Sequence, residues 1–418
     1  MVTAASTPAR SYSWPEGHWD WYQHLAFKHG VRAGRMIFVG GQVDKDARGE
    51  PQHVGDLAAQ TATVVRHVDT VLRGFDAGLA DVVSLVAFYA TDGDVDEQAF
   101  LADVGRQVLA NGGDAAAGPA ILAVPLPCLA LPGMRVEIEA IAMLGEDGTH
   151  LARETVTMPE LAPLPAPFAH GVRSAEHVWV SGMTPRDAGG RLHAAHDVSA
   201  QNARIFDQAE RVLAALDADV GDAVRAVAWY RGDGTRAAWA PGAAARAARF
   251  AEPFPVTTEL PTPRLPAGET ARLALWAMRG PRGERLPRTV CAEPPRWSWP
   301  VRLPYAHALR CADMVFVGGQ LPLDPHGRVL APGDLNAQTR AVMEYTRDAL
   351  AGFDLGLDHM VKQTSFYLGE ADPQSIVTNQ RLRSSHYREP AGASTGVPLP
   401  AFALEDVMVT VETVAMTI

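Results

Sequence analysis

The chain is poor in cysteine: three in 418 residues, Cys128, Cys291 and Cys311, far apart and odd in number. That excludes a disulfide scaffold, and no Cys-x-x-Cys or Cys/His spacing points to zinc. No run of 18 apolar residues occurs, and the opening stretch MVTAASTPARSYSWPEGHWDWYQH has no apolar core of the secretory kind. A soluble, cytoplasmic protein is expected. Positive charge is also short. With 37 Lys+Arg against 48 Asp+Glu, the net charge is −11. This argues against a protein that works by neutralising phosphates, so neither nucleic acid nor membrane is expected as a partner. A nucleotide-binding glycine loop is missing too: Val-Gly-Gly-Gln reads as a strand end, not GxGxxG, with no helix directly after it. No metal and no cofactor is therefore expected. The 47% hydrophobic and 20% charged residues exclude wholesale disorder, and the length bounds the chain at roughly two to four domains.

What is present is a threefold repeat. The runs MIFVGGQ (36–42), VWVSGM (178–183) and MVFVGGQ (314–320) correspond. Each follows a matching element: AFKHGVRAG (26–34), PFAHGVRSA (167–175) and PYAHALRCA (304–312). Downstream come DLAAQT (56–61), DVSAQN (197–202) and DLNAQT (334–339), then VAFYA (86–90), VAWYR (227–231) and TSFYL (364–368). Residues 119–143 align without a gap to 392–416, with 11 identities in 25 positions; 255–278 fits with one deletion. The tripeptide Ser-Trp-Pro also recurs, at 13–15 and 298–300.

Each repeat reads as β-β-α-β-α-β-β. In the first, a strand around His29 turns at Ala33-Gly34 into the strand 36–40. Asp56 then caps a helix with Leu57, Val64, Val65, Val68, Val71 and Leu72 at helical spacing. A strand at 82–89, a helix at about 96–110 and strands at 121–125 and 135–144 follow. Asp197 and Asp334 are the corresponding caps. In the last strand, VEIEAIA (136–142), Val136, Ile138, Ala140 and Ala142 share one side and Glu137, Glu139 and Ile141 the other. Neither side is fully polar, so both should be covered. The division expected is an aromatic N-terminal extension at 1–26, units at 27–146, 166–280 and 303–418, and linkers at 147–165 and 281–302. The second unit is the most degenerate. Trp14, Trp19, Trp21 and Tyr22 are expected to pack over a neighbouring unit.

The strand-Gly-Gly-Gln, the Asp-x-x-x-Gln helix start, the Phe-Tyr strand and VEIEAIA resemble the RidA (YjgF) family, three times over. The resemblance implies an α+β, chorismate-mutase-like fold, with the three tandem units closed into an intramolecular pseudo-trimer. Ligand clefts would lie between units. Family members hydrolyse small enamines and imines, using an Arg that clamps the substrate carboxylate, a Glu of the last strand and a Tyr of the first. The Arg position falls on Ile121, Thr257, and Ser394 or Thr395; none is Arg, and no such residue replaces a guanidinium fork. The Glu survives as Glu137, becomes Arg272 in the second copy and Thr410 in the third, where Glu412 matches Glu139. The Tyr position is Phe27, Phe168 and Tyr305.

The catalytic candidates implied are Glu137, Glu412 and Tyr305. The substrate-binding candidates are Arg264, Arg272, Gly41, Gly182, Gly319, Thr395 and Asn379. Arg264 is read as the replacement cation, with residues pooled across interfaces, an acid from one unit meeting a cation from the next. His29, His170 and His307 are read as structural, and Cys128 has no neighbour in sequence to activate it. The expectation is a divergent enzyme that adds water to a small imine-, enamine- or enolpyruvyl-type carboxylate. A chorismatase-like hydrolase and a non-catalytic ligand-binding or assembly module are the alternatives. A small-molecule substrate and a monomeric chain are expected, with further oligomerisation left open.

Overall fold

The computed structural model describes residues 10–19, 25–291, 305–371 and 373–417. Trp21, Tyr22 and the second Ser-Trp-Pro (298–300) lie outside them. Three similarly built sheets follow one another, each with two helices. The first lobe contains β1 (Ser11–Ser13), β3 (Gly30–Ala33), β4 (Met36–Gln42), α1 (Leu57–Arg73), β5 (Val82–Ala90), α2 (Glu97–Ala110), β6 (Ala120–Leu126) and β7 (Val136–Met143). The second contains β8 (Glu154–Val156), β9 (Gly171–Ser174), β10 (His177–Met183), α3 (Val198–Ala215), β11 (Ala223–Arg231), α4 (Arg236–Ala247), β12 (Val256–Thr262) and β13 (Ala271–Met278). The third contains β14 (Arg288–Val290), β15 (Ala308–Cys311), β16 (Met314–Gln320), α5 (Leu335–Ala351), β17 (Met360–Leu368), α6 (Pro373–Ser384), β18 (Ala391–Leu399) and β19 (Val409–Met416). Strand β2 (Phe27–Lys28) joins the third sheet rather than the first.

The strand orders correspond: β1-β3-β4-β7-β5-β6, then β8-β9-β10-β13-β11-β12, then β14-β15-β16-β19-β17-β18-β2. In each, two strands pair in parallel across a helical crossover, β5 with β6, β11 with β12 and β17 with β18. The caps act as expected. Asp56, Asp197 and Asp334 each accept a first-turn backbone N–H, from Ala59, Ala200 and Ala337. The inward side of β7 (Val136, Ile138, Ala140, Ala142) packs with Val64, Val65 and Val68 of α1 in one apolar cluster.

Two expectations need correction. Val-Gly-Gly-Gln does end its strand, but the strand expected at 36–40 runs two residues further. The strand continues through a bulge to Gln42, with register shifts at the same place in β4, β10 and β16; the glycine pair lets the strand kink there. The stretches read as linkers are also not plain connections. Residues 154–156 and 288–290 form the edge strands β8 and β14, as 11–13 form β1.

The lobes meet in cyclic order. The start of each lobe pairs in parallel with the terminal strand (β6, β12 or β18) of the lobe before it: Ala169 with Ala120, Ala306 with Val256, and Phe27-Lys28 with Ala391 and Ala393. In the middle, Phe88, Trp229 and Phe366, from matching strand positions, form a triangle with ring centroids 6.2, 5.7 and 6.4 Å apart. Among the described residues, no helix is long and apolar enough to cross a membrane.

Candidate functional site

At each seam the bulge of one lobe lies against the terminal strand of the previous one. A Cβ on Gly41 would stand 1.9 Å from a Glu137 carboxylate oxygen and 3.0 Å from Thr395. On Gly182 it would meet Leu122, and on Gly319 Thr410 and Thr258. Glycine is thus required by close approach at the seams.

Two seams share one polar arrangement. Between the third and first lobes, Gly41 N–H donates to Thr395 Oγ1 (2.9 Å), whose hydroxyl donates to Glu139 Oε2 (2.6 Å), and Lys362 Nζ donates to the same oxygen (2.7 Å). Between the second and third, Gly319 N–H donates to Thr258 Oγ1 (3.1 Å), Thr258 to Glu412 Oε2 (2.7 Å), and Arg225 pairs with Glu412. Between the first and second lobes the matching positions are Leu122, Ala274 and Ser84, so the threonine, the carboxylate and the cation are all replaced. Burial disfavours ionised Glu139, but the Lys362 ammonium and the hydrogen bonds outweigh it and lower its pKa.

The clefts differ in room. At the third–first seam a cavity of about 20 Å³ is lined by Trp19, Gly41, Lys45, Glu137, Gln380 and Gly396. There burial, aided by the Glu139 charge, pushes Glu137 up to about 8, and burial lowers Lys45 to about 8. At the second–third seam the cavity is about 50 Å³, beside Tyr305, Thr257, Arg246 and Glu259. At the first–second seam it is about 680 Å³. The floor of this large cleft carries Arg272, 2% exposed. Its Nε donates to Glu269 (2.6 Å), and its Nη1 to Glu97 (2.6 Å) and Ala123 O (2.9 Å). Its Nη2 is buried with no partner among the described residues. Glu97 also accepts the Tyr89 hydroxyl at 2.6 Å. Arg264 and Arg186 line the same cleft, Arg264 tied to Asp92 at 2.8 Å.

The candidates drawn from sequence are thus dispersed over three seams. Glu137, Gly41 and Thr395 meet at the third–first seam. Asn379 lies in the same lobe as Thr395, but it binds the Thr339 hydroxyl and the buried Arg383, so it braces a cation rather than facing a cleft. Tyr305 and Gly319 meet at the second–third seam, where the tyrosine hydroxyl donates to Gly319 O (3.3 Å). Glu412 faces inward, held by Arg225 and Thr258 of the second lobe. Arg264, Arg272 and Gly182 line the large cleft. Cys128 is no nucleophile in waiting, since burial pushes its thiol up.

Sequence reading missed Lys45, Lys362, Arg225, Glu97 and Glu269, and the helix arginines Arg383 and Arg246. Arg383 donates to Ser394 Oγ (3.0 Å) and Arg246 pairs with Glu259 (2.8 Å), so guanidinium groups come from helices as well as from strands. One signal was available. Only Lys28, Lys45 and Lys362 are lysines among the 37 basic residues. Lys28 sits on the strand that closes the third–first seam, Lys45 lines its cavity and Lys362 pairs across it.

Comparison with known proteins agrees with this architecture. The profile of a family described as Endoribonuclease L-PSP matches residues 22–144 and 299–417. A RutC family protein of Pyrococcus horikoshii is 25% identical over 112 residues, 27% of this chain and 86% of that protein. Protein DfrA of Myxococcus xanthus is 38% identical over 65 residues, 15% of this chain and 50% of that one. Among solved structures, a chorismatase crystal structure superposes with a TM-score of 0.51 at 13% identity, covering 92% of this chain and all of that one. At that identity the likeness is one of fold.

Proposed function

Because the chain belongs to the Endoribonuclease L-PSP family, into which the RidA-like repeat falls, we propose that it is a hydrolase of a small dicarboxylate enolpyruvyl ether, of the chorismate kind, acting in the cleft between the first and second lobes. In this reading the three lobes are a covalent pseudo-trimer, with units at 27–146, 166–280 and 303–418, whose seams have diverged. The observation that carries the proposal is the buried Arg272, with an unmatched donor in the floor of the one roomy cleft among the described residues. A buried guanidinium N–H without an acceptor is costly and is relieved by a carboxylate. A cleft of about 680 Å³ also suits a ring-bearing substrate better than a three-carbon imine. The chorismatase-like chain path adds a resemblance of fold.

The reaction needs a proton on the terminal methylene and a water oxygen on the neighbouring carbon. The resulting hemiketal expels the alcohol and leaves pyruvate. Arg272 receives one carboxylate, and Arg264, whose partner Asp92 is exposed, swings to the other. The incoming carboxylate takes the place of Glu97 on Arg272. Glu97, then beside a new anion and short of its cation, takes up a proton and becomes the acid that delivers it, with Tyr89 fixing its orientation.

The test is pyruvate release from chorismate by the purified chain. Glu97→Gln should lower kcat about 10²–10⁴-fold, and Arg264→Ala should raise KM with kcat little changed. Turnover of 2-iminopropanoate without release of pyruvate from chorismate would move the activity to imine chemistry. Inertness toward both would leave the binding-module reading.

A further inference from the structure

The third–first cleft is small because the chain itself reaches into it. Trp19, 1% exposed, stands there beside Lys45 and Glu137. It arrives on the N-terminal segment. Strand β1 pairs with β3 of the first lobe, while Arg10 donates to His359 O (2.7 Å) and Met416 O (3.1 Å) of the third, so the segment straddles that seam. It then turns, with His18 N–H donating to Pro15 O (3.1 Å). Gly17 holds the turn at φ +75°, a conformation glycine adopts freely, and no atom lies within 4 Å of where its Cβ would be. Glu16 and Gly17 are exposed; His18 and Trp19, next in the chain, are buried.

The second lobe carries the matching connection between β8 and Phe168. Residues 157–167 contain four prolines and no tryptophan, and are two residues shorter than 14–26. Leu161, Pro163 and Leu164 from that stretch border the large cleft and leave about 680 Å³ open. One cleft is thus open and the other holds an indole. The walls around that indole suit a flat ring. His29 meets it edge-on at 4.5 Å and His67 lies at 5.5 Å, ring centre to ring centre. Val43, Leu131 and Met134 of the first lobe and Ile376 of the third complete the apolar surround. All of these belong to the lobes and stay in place when the segment moves. The segment docks through a three-residue strand, a turn, ring contacts and the His18–Gln42 hydrogen bond (2.9 Å). A piece held by so few contacts opens locally, without unfolding the rest.

We propose that the third–first cleft is a binding site for a flat aromatic ring, and that the N-terminal segment occupies it with Trp19 as a removable plug over Lys45 and Glu137. A free ring of indole size competes for the same walls. The plug and its site are independent of the chemistry in the large cleft.

The experiment uses the full chain and reads its lysines, of which there are only Lys28, Lys45 and Lys362. Amines are acetylated with an N-hydroxysuccinimide ester in native buffer, and each site is followed by peptide mass. Lys45 is 7% exposed and Lys362, paired with Glu139 inside the ring, is 8% exposed. Trp19→Ala should strip Lys45 of its protection while Lys362 keeps its own. Gly17→Val leaves Trp19 and every wall of the cleft in place and strains only the turn, since a β-branched residue is an outlier at that φ. It should also unprotect Lys45, and it carries the test if Trp19→Ala fails to fold. Indole added to either variant should restore the protection saturably. Lys45 still protected in both variants would overturn the plug. Lys362 labelled in step with Lys45 would show that the ring itself has loosened, which makes Trp19 an ordinary core residue and overturns it equally. Failure of indole to protect Lys45 again would overturn the aromatic site.

Discussion

Lys362 and Glu139 show what a single pair does at a seam. The two groups are nearly buried, come from different lobes and meet at 2.7 Å. Removing one partner of such a pair leaves a buried charge unmatched, which costs more than the pair contributes. Lys362→Met should therefore destabilise the chain by about 3–5 kcal/mol, read as a fall in the midpoint of the first urea transition. Lys362→Met with Glu139→Met should recover most of the loss, and equal destabilisation by single and double variants would show that the pair is not coupled. The acids here were legible, because a glutamate on a strand with an otherwise apolar side needs a reason. Their partners were not. Lys362 and Arg225 lie one lobe away, on a strand whose own pattern gives no hint of an ion pair. The particular pairs depend on how the seams dock.

At the scale of elements, the helices and inner strands followed from the sequence almost residue by residue, since caps and periodicity are local signals. The edge strands did not. β1, β8 and β14 are three residues each, too short for a period to show, and only the neighbouring strand makes them strands. The described part of the N-terminal segment goes further and packs on the first lobe. His18 stacks on Trp19 and lies 4.4 Å from His29 and 4.7 Å from His67, ring centre to ring centre. Burial holds all three imidazoles below their usual range, His67 down to about 4, with their mutual repulsion and the nearby Lys28 and Arg66 adding to it. A base whose pKa is depressed by folding is protonated more readily in the unfolded chain. The unfolded state thus binds more protons between about pH 6.5 and 4, and stability falls as the pH drops through that window. The unfolding temperature should decline from pH 7 to pH 4.5, and His67→Phe should flatten the decline. An unchanged slope in that variant would assign the pH dependence to other groups, such as surface carboxylates.

For the whole molecule the question is what holds the lobes together. The linkers do so by covalent bond, but the seams bury parallel strand pairings, cross-lobe ion pairs and the Phe88–Trp229–Phe366 triangle. The Ala308, Val317 and Phe366 of the third lobe share one apolar cluster with Phe27 and Leu122 of the first and Trp229 of the second. A lobe taken out of the ring would expose all of this, and apolar patches of that extent are not left in water. Cutting the chain once, at a protease site inserted after Pro281, should therefore not release the third lobe. The two fragments should elute together at the position of the intact chain in native gel filtration and separate only in denaturant. With the ion pair of the third–first seam removed by Lys362→Met, the nicked chain should come apart at lower urea than the nicked wild type, because Glu139 is then left buried at that seam without its cation. Separation of wild-type fragments under native conditions would mean that the lobes are joined by their linkers alone, and a cleft shared between the first and second lobes would then lose its physical basis.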